Sequence, residues 1–306
     1  MILLFFIRID YIQNAQGRNI MEYRTLNTGA RMPMEGFGVY QVPDYEECKR
    51  IVKDAVKAGY RLFDTAASYG NEKAVGDALR EAIAEGLVTR EELFVTSKMW
   101  VYDMKNYDMA KAAIERSLDN LGLEYLDLYL LHQAMGNYFE AYRAMEDAYH
   151  EGKLRAIGVS NFFPNVLANF CLNVEVTPAV NQVELHPFFA PPLALEMMKE
   201  YGVAPEAWAP LAEGKHGIFT DPEMTAIGKK YGKSAAQVAL RWNVQRGVTV
   251  IAKTTHLPRM QENLNIFDFT LTDEEMQTIS AKTLDHSEII NHYDPVLVKF
   301  LNNRKI

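Results

Sequence analysis

Four residues of this chain have side chains suited to moving a proton onto an oxygen that is gaining negative charge. Tyr69 closes the segment Asp64-Thr65-Ala66-Ala67-Ser68-Tyr69, Lys98 stands in Thr96-Ser97-Lys98-Met99-Trp100, and His132 in Leu130-Leu131-His132-Gln133. Asp64, Lys98 and His132 each stand where a strand-like apolar run stops, and Tyr69 follows in the next loop. Carbonyl reduction needs such a set, because a hydride delivered to carbon leaves an alkoxide that requires a proton and a polarising donor together. A free phenol titrates near pH ~10 and is a weak acid at neutral pH. A neighbouring ammonium favours the phenolate, and a carboxylate beside that ammonium keeps it charged and oriented. An imidazole can donate a second hydrogen bond to the carbonyl oxygen and so choose the face that meets the hydride.

Taken singly, each residue has an ordinary explanation. A lysine after a strand is usually solvated, a lone histidine is usually a satisfied core residue, and an aspartate at a strand end is usually a turn or cap residue. Their shared placement at the ends of consecutive strand-like runs is what favours a common site.

Those residues need a scaffold that gathers successive strand ends. The chain has 306 residues and 48% hydrophobic content, enough for one large α/β barrel or two smaller domains. No long Gly, Ser or Pro linker divides it. With 40 acidic against 32 basic residues the net charge is −8, and no basic cluster is dense enough for nucleic acid or an anionic membrane. Cys48 and Cys171 lie in helix-like stretches without Cys-x-x-Cys spacing, so neither a disulfide framework nor a zinc site is indicated, and a cytoplasmic setting is expected. Met1 to Ile7 is apolar but far shorter than the ~20 residues a bilayer requires. No positive segment precedes it, so residues 1–20 read as an extension outside the fold, with Met21 a plausible start of the folded part.

From about Tyr23 the sequence alternates short β-like runs with amphipathic helices, the pattern of parallel strands joined by crossovers. Cys48, Ile51, Val52, Ala55 and Val56 fall at helical spacing before Gly59; Ala110, Ala113, Ile114, Ser117, Leu118 and Leu121 form a second face; Ala235, Val238, Ala239 and Trp242 form a third after Ser234 as N-cap. Strands are predicted near Phe37, Arg61–Phe63, Leu93–Thr96, Leu128–Leu131, Ala156–Val159, Ala179–Val180, Val203–Ala204 and Val248–Ile251. Eight strand–helix units predict a single-domain (β/α)8 TIM barrel over residues 21–306. An open dinucleotide-binding sheet should carry Gly-x-Gly-x-x-Gly after its first strand, but Gly36-Phe37-Gly38 has Gln41 where the third glycine belongs.

Several longer motifs, taken together, resemble the aldo-keto reductases from about Tyr23 to the C-terminus. Gly59-Tyr60-Arg61-Leu62-Phe63-Asp64-Thr65-Ala66 with Glu72 and Gly76 is similar to the first family signature, and Ile157-Gly158-Val159-Ser160-Asn161-Phe162 to its strand-five motif. Ile251 to Asn263 resembles its cofactor-clamping segment. The resemblance implies a catalytic tetrad of Asp64, Tyr69, Lys98 and His132, with Tyr69 as general acid in reduction. It also implies that Ser160, Asn161 and Gln182 hold a nicotinamide carboxamide, that Trp208 stacks on the ring beside Leu211, and that Lys253, Thr254, Thr255, Arg259, Glu262 and Asn263 clamp the remainder of the cofactor. Trp208-Ala209-Pro210-Leu211 resembles the microbial branch that includes 2,5-diketo-D-gluconate reductases, while Ala209 lacks a hydroxyl and Ala252 replaces the usual proline before Lys253. His186 is read as structural.

The two cations Lys253 and Arg259 suit the 2′-phosphate of NADPH, which is therefore expected in preference to NADH. Loops over the barrel mouth set substrate identity. They look compact here, and with Trp100, Trp208 and a tail at Asn291–Asp294 as walls, small or sugar-like aldehydes and ketones are expected. A monomer is expected, and no metal. The alternatives are an NADPH-binding regulatory protein with little turnover, like the potassium-channel β-subunits of the same superfamily, and a metal-dependent barrel hydrolase, for which the seven histidines are too scattered.

Overall fold

The computed structural model describes residues 9–13, 19–284 and 286–306. Three strands, β1 (Ile9–Gln13), β2 (Asn19–Thr25) and β3 (Arg31–Pro33), form a small antiparallel sheet. The next eight, β4 (Glu35–Gly38), β5 (Leu62–Asp64), β6 (Phe94–Met99), β7 (Leu128–Leu131), β8 (Ile157–Ser160), β9 (Val180–Glu184), β10 (Ala204–Trp208) and β11 (Thr249–Ala252), close into a parallel barrel in that order, with β11 returning to β4. Part of the stretch expected to lie outside the fold, Ile9–Gln13, is thus paired with β2; residues 1–8 and 14–18 lie outside the described residues.

Helices α1 (Tyr45–Ala58), α2 (Glu72–Ala84), α3 (Tyr107–Leu121), α4 (Tyr138–His150), α5 (Pro164–Cys171) and α6 (Pro192–Glu200) alternate with the strands. They are followed by α7 (Pro222–Tyr231), α8 (Ala235–Gln245), α9 (Leu257–Leu264), α10 (Asp273–Ser280) and α11 (Pro295–Asn303). Local sequence explains their limits. Asp44 caps α1 by accepting from the Glu47 N–H, and Gly59 ends it at a φ of 111° that only glycine adopts freely. Ser234 and Gln237 form a reciprocal capping box at the start of α8. The faces anticipated for α1, α3 and α8 are the buried ones.

The predicted strands stop early where polar residues begin. β9 and β10 continue through Asn181, Gln182, Glu184 and Glu206, because the barrel wall carries polar side chains into its mouth. At the opposite end, Met32 of β3 and Leu26 of the turn before it pack with Leu62, Phe94, Leu130, Val180 and Ile251, an apolar plug under the barrel. The glycines of Gly36-Phe37-Gly38 serve packing: a Cβ on Gly36 would lie 2.0 Å from Leu62 Cδ2 and 2.6 Å from Ile251 Cδ1. No described helix is long and apolar enough to cross a membrane.

Candidate active site

The four residues singled out by their chemistry meet at the C-terminal mouth of the barrel. Asp64 ends β5, Lys98 lies in β6, His132 follows β7, and Tyr69 ends a 3-10 turn, Ala67–Tyr69, that leaves β5. The loop between Asp64 and α2 is pinned from inside: Thr65 Oγ1 donates to Asn71 Oδ1 at 2.7 Å, and Asn71 Nδ2 donates to the carbonyls of Val39 and Val42 at 2.9 and 3.1 Å. Glu72 anchors α2, accepting from Ser97 Oγ of β6 at 2.6 Å and from Asn120 Nδ2 of α3 at 3.0 Å. Gly76 lets α2 meet α3 closely, since a Cβ there would lie 2.0 Å from the Leu121 carbonyl oxygen. The signature residues Glu72 and Gly76 therefore hold the loop that carries Tyr69.

Lys98 has no exposed side-chain surface, and its Nζ donates to Asp64 Oδ1 at 2.6 Å, to the Thr65 carbonyl at 3.0 Å and to Tyr69 Oη at 3.4 Å. Burial works against this ammonium, but Asp64 and Tyr69 outweigh it and its pKa is raised, so Lys98 stays charged. Burial pushes the Tyr69 phenol up to about 12, with Lys98 pulling it down and Asp64 pushing up. The expected lowering by the ammonium is present but loses to desolvation, and Tyr69 is fully protonated at neutral pH. His132 lies edge-on to Tyr69 with ring centroids 5.7 Å apart. Burial, then the charges of Lys98 and Arg304, hold its pKa well below the ordinary histidine value, so the imidazole is neutral. Its Nδ1 lies 3.3 Å from Ser68 Oγ; when that hydroxyl donates, the ring proton sits on Nε2.

The residues expected to hold a carboxamide form an adjoining network. Ser160 Oγ donates to the main-chain carbonyl of Gln182 at 2.8 Å, Asn161 Nδ2 to the His132 main-chain carbonyl at 3.1 Å, and Trp208 Nε1 to Asn161 Oδ1 at 2.9 Å. Asn161 sits at a φ of 63°, a left-handed conformation that asparagine tolerates. Gln182 Nε2 donates to Asp64 Oδ2 at 2.9 Å, joining this network to the tetrad. Leu211 follows Trp208 half-buried, before a 3-10 turn at Ala212–Gly217. Lys253, Thr254 and Thr255, between β11 and α9, and Arg259 in the first turn of α9 form a separate group. Lys253 and Arg259 are exposed and, among the described residues, pair with no acidic side chain. Glu262 is tied to the scaffold by Ser234 Oγ at 2.5 Å, and Asn263 is buried. His186 bonds Glu184 Oε1 at 3.0 Å, away from the proton relay.

Glu206 and Tyr40 were not anticipated from the sequence. Glu206 of β10 is wholly buried and bonded to Gln182 at 2.9 Å; a carboxylate inside an apolar strand was the available signal. Tyr40 packs on Tyr69 with centroids 5.0 Å apart. The tail folds back over the mouth: His292 Nε2 lies 3.0 Å from Gln133 Oε1, Tyr293 stacks on Phe163 at 5.3 Å, and Trp100 Nε1 donates to the Arg304 carbonyl at 2.7 Å. Trp100 is buried beneath this tail while its ring stands 5.3 Å from that of His132. No group of three or more potential metal ligands occurs among the described residues.

A sequence profile of the aldo/keto reductase family matches residues 34–283. An uncharacterized oxidoreductase, YtbE, of Bacillus subtilis (strain 168) is 45% identical over 258 residues, covering 84% of this chain and 91% of its own. A glyoxal reductase of the same strain is 44% identical, covering 85% and 92%, and a 9,11-endoperoxide prostaglandin H2 reductase of Trypanosoma cruzi is 44% identical, covering 85% and 91%. Among solved structures, a Bombyx mori aldo-keto reductase in complex with NADP superposes with a TM-score of 0.84 at 36% identity, covering 89% of this chain and 95% of that one. With its closed eight-stranded barrel and these matches along most of its length, the chain belongs to the aldo/keto reductase family.

Proposed function

We propose that this protein is an NADPH-dependent reductase of small or sugar-like aldehydes and ketones, with Tyr69 as general acid. The buried Lys98–Asp64 pair against the Tyr69 hydroxyl, with neutral His132 beside it, is the observation that carries this reading. The cofactor-binding set fits: Ser160, Asn161 and Gln182 supply donors and acceptors for a carboxamide, Trp208 an aromatic face, and Lys253 and Arg259 two uncommitted cations for a 2′-phosphate. The Bombyx mori relative in complex with NADP supports the same choice. NADPH, when bound, supplies the hydride to the carbonyl carbon.

The chain's own residues handle the oxygen. His132 Nε2–H and the Tyr69 hydroxyl both donate to it, orienting the carbonyl and stabilising the charge that develops. Tyr69 then gives up its proton, since an alkoxide is a stronger base than a phenolate. The nascent phenolate lies 3.4 Å from the Lys98 ammonium, which Asp64 keeps charged and in place. Burial keeps the phenol protonated at neutral pH, so it is present as the proton donor that reduction needs. The glyoxal reductase relative supports small carbonyls, and Trp208-Ala209-Pro210-Leu211 keeps 2,5-diketo-D-gluconate in the panel.

The test is loss of NADPH absorbance against aldehydes and ketosugars, comparing the wild-type chain with Tyr69→Phe. Turnover that falls by about two orders of magnitude or more in the variant, with NADPH binding kept, supports the reading. Tight NADPH binding without turnover of any carbonyl would replace it with the regulatory role.

A further inference from the structure

Glu206 lies in the middle of β10 with no exposed surface and makes one side-chain hydrogen bond, from Gln182 Nε2 to its Oε2 at 2.9 Å; its Oε1 has no partner among the described residues. The same Gln182 nitrogen donates to Asp64 Oδ2, also at 2.9 Å. A primary amide nitrogen has two hydrogens and no acceptor capacity, so both are committed. The reversed amide would set Gln182 Oε1 against the Asp64 carboxylate, two acceptors facing each other at hydrogen-bond distance in a buried site. Gln182 can therefore offer only its carbonyl oxygen to a group arriving from the mouth. Asp64 alone would occupy one N–H; Glu206 occupies the other. Burial, followed by the charge of Asp64, pushes the Glu206 carboxyl up to about 8, which leaves it neutral at pH 7 and spares the site a second carboxylate charge next to Asp64.

Beside Gln182, Asn161 Nδ2 donates to Ser160 Oγ at 3.0 Å and to the His132 carbonyl at 3.1 Å, and Ser160 Oγ donates to the Gln182 main-chain carbonyl at 2.8 Å, so these groups meet a carboxamide oxygen by exchanging one of those bonds. A nicotinamide carboxamide presents one oxygen and one NH2 group. We propose that Glu206 is a positioning residue which, by taking the second N–H of Gln182, makes Gln182 an acceptor-only group that selects the NH2 end of the cofactor carboxamide and so sets how the nicotinamide is turned. This rests on the reading that Ser160, Asn161 and Gln182 hold that carboxamide. With Glu206 removed, the freed N–H of Gln182 would compete for the carboxamide oxygen and the selection would be lost.

The experiment is a binding measurement by quenching of intrinsic tryptophan fluorescence. NADP⁺ is compared with its 3-acetylpyridine analogue, in which CH3 replaces the NH2. The wild-type chain is expected to bind NADP⁺ about tenfold more tightly, the usual effect of leaving a buried acceptor unpaired. In Glu206→Leu and Glu206→Met the ratio should fall to about twofold, and in Glu206→Gln, whose carbonyl can accept the same bond, it should return to about tenfold. Two apolar variants guard against one that does not fold. A ratio that stays near tenfold in the apolar variants would overturn the proposal, because a space-filling role for Glu206 predicts no change. A wild-type ratio near one, with tight NADP⁺ binding, would overturn it too while leaving the reductase intact. Failure to bind either nucleotide would remove the underlying reading itself.

Discussion

Breaking the Lys98–Asp64 pair offers a quantitative check on the site. Lys98→Met leaves the Asp64 carboxylate 5% exposed, with Gln182 as its remaining side-chain partner. Asp64→Asn leaves an ammonium with no exposed surface and no carboxylate beside it, with only neutral acceptors, among them the Thr65 carbonyl and the Tyr69 hydroxyl, as partners. Removing one member of a buried pair strands the other charge and costs about 3–5 kcal/mol. At ~2.1 cal/mol/K per residue, the 306 residues of this chain have an unfolding entropy of about 0.6 kcal/mol/K, so each single change should lower Tm by about 5–8 °C. The double change, Lys98→Met with Asp64→Asn, strands no charge and should lie within about 2 °C of the wild type. Circular dichroism melts at one scan rate read all four proteins. All three variants should lose turnover, so stability alone decides. If the double variant loses the sum of the two single losses, the two residues are not acting as a coupled pair and the electrostatic account of Tyr69 fails with it.

Gly76→Ala should destabilise by about 3 kcal/mol, because its Cβ would meet the Leu121 backbone at 2.0 Å where no flexible side chain can give way; an unchanged urea midpoint would show that α2 shifts freely. Glu35, buried beneath the site and bonded by the Tyr60 hydroxyl at 3.1 Å, is pushed by burial from 4.5 up to about 8. Its folded-state pKa is the higher one, so its contribution is complete below about 4.5 and is lost as pH rises towards 8, by at most ~1.4 kcal/mol per pH unit. Glu35→Gln should flatten the fall of urea stability over that window, and parallel pH profiles for the two proteins would contradict the assignment. Replacing Lys253 or Arg259 by Ala should weaken NADPH binding about tenfold or more each and leave NADH nearly unaffected, as read by fluorescence titration; equal losses for both cofactors would mean these cations do not meet the 2′-phosphate.

Much of the architecture was legible because its signals are local. Helix faces such as Cys48 to Val56 follow from a 3.6-residue period, and caps such as Ser234 from hydrogen bonds within one turn. Strand ends were harder to read in β9 and β10, where Gln182, Glu184 and Glu206 break the apolar pattern for the sake of the mouth.

By itself the sequence determined the chemical types and their order: an aspartate, a lysine and a histidine at the ends of successive strand-like runs and a tyrosine in the loop after the first, on a chain whose period alternates strand and helix. Tertiary closure decided everything that depends on desolvation or on distant partners. Tyr69 near 12 rather than below an ordinary phenol is a consequence of burial that no local pattern encodes. Asp64 meets Gln182 across 118 residues, and Trp100 meets Arg304 across 204. Glu206, an isolated acidic residue in an apolar strand when read linearly, becomes part of the site only because β9 and β10 lie side by side and bring the two buried side chains together.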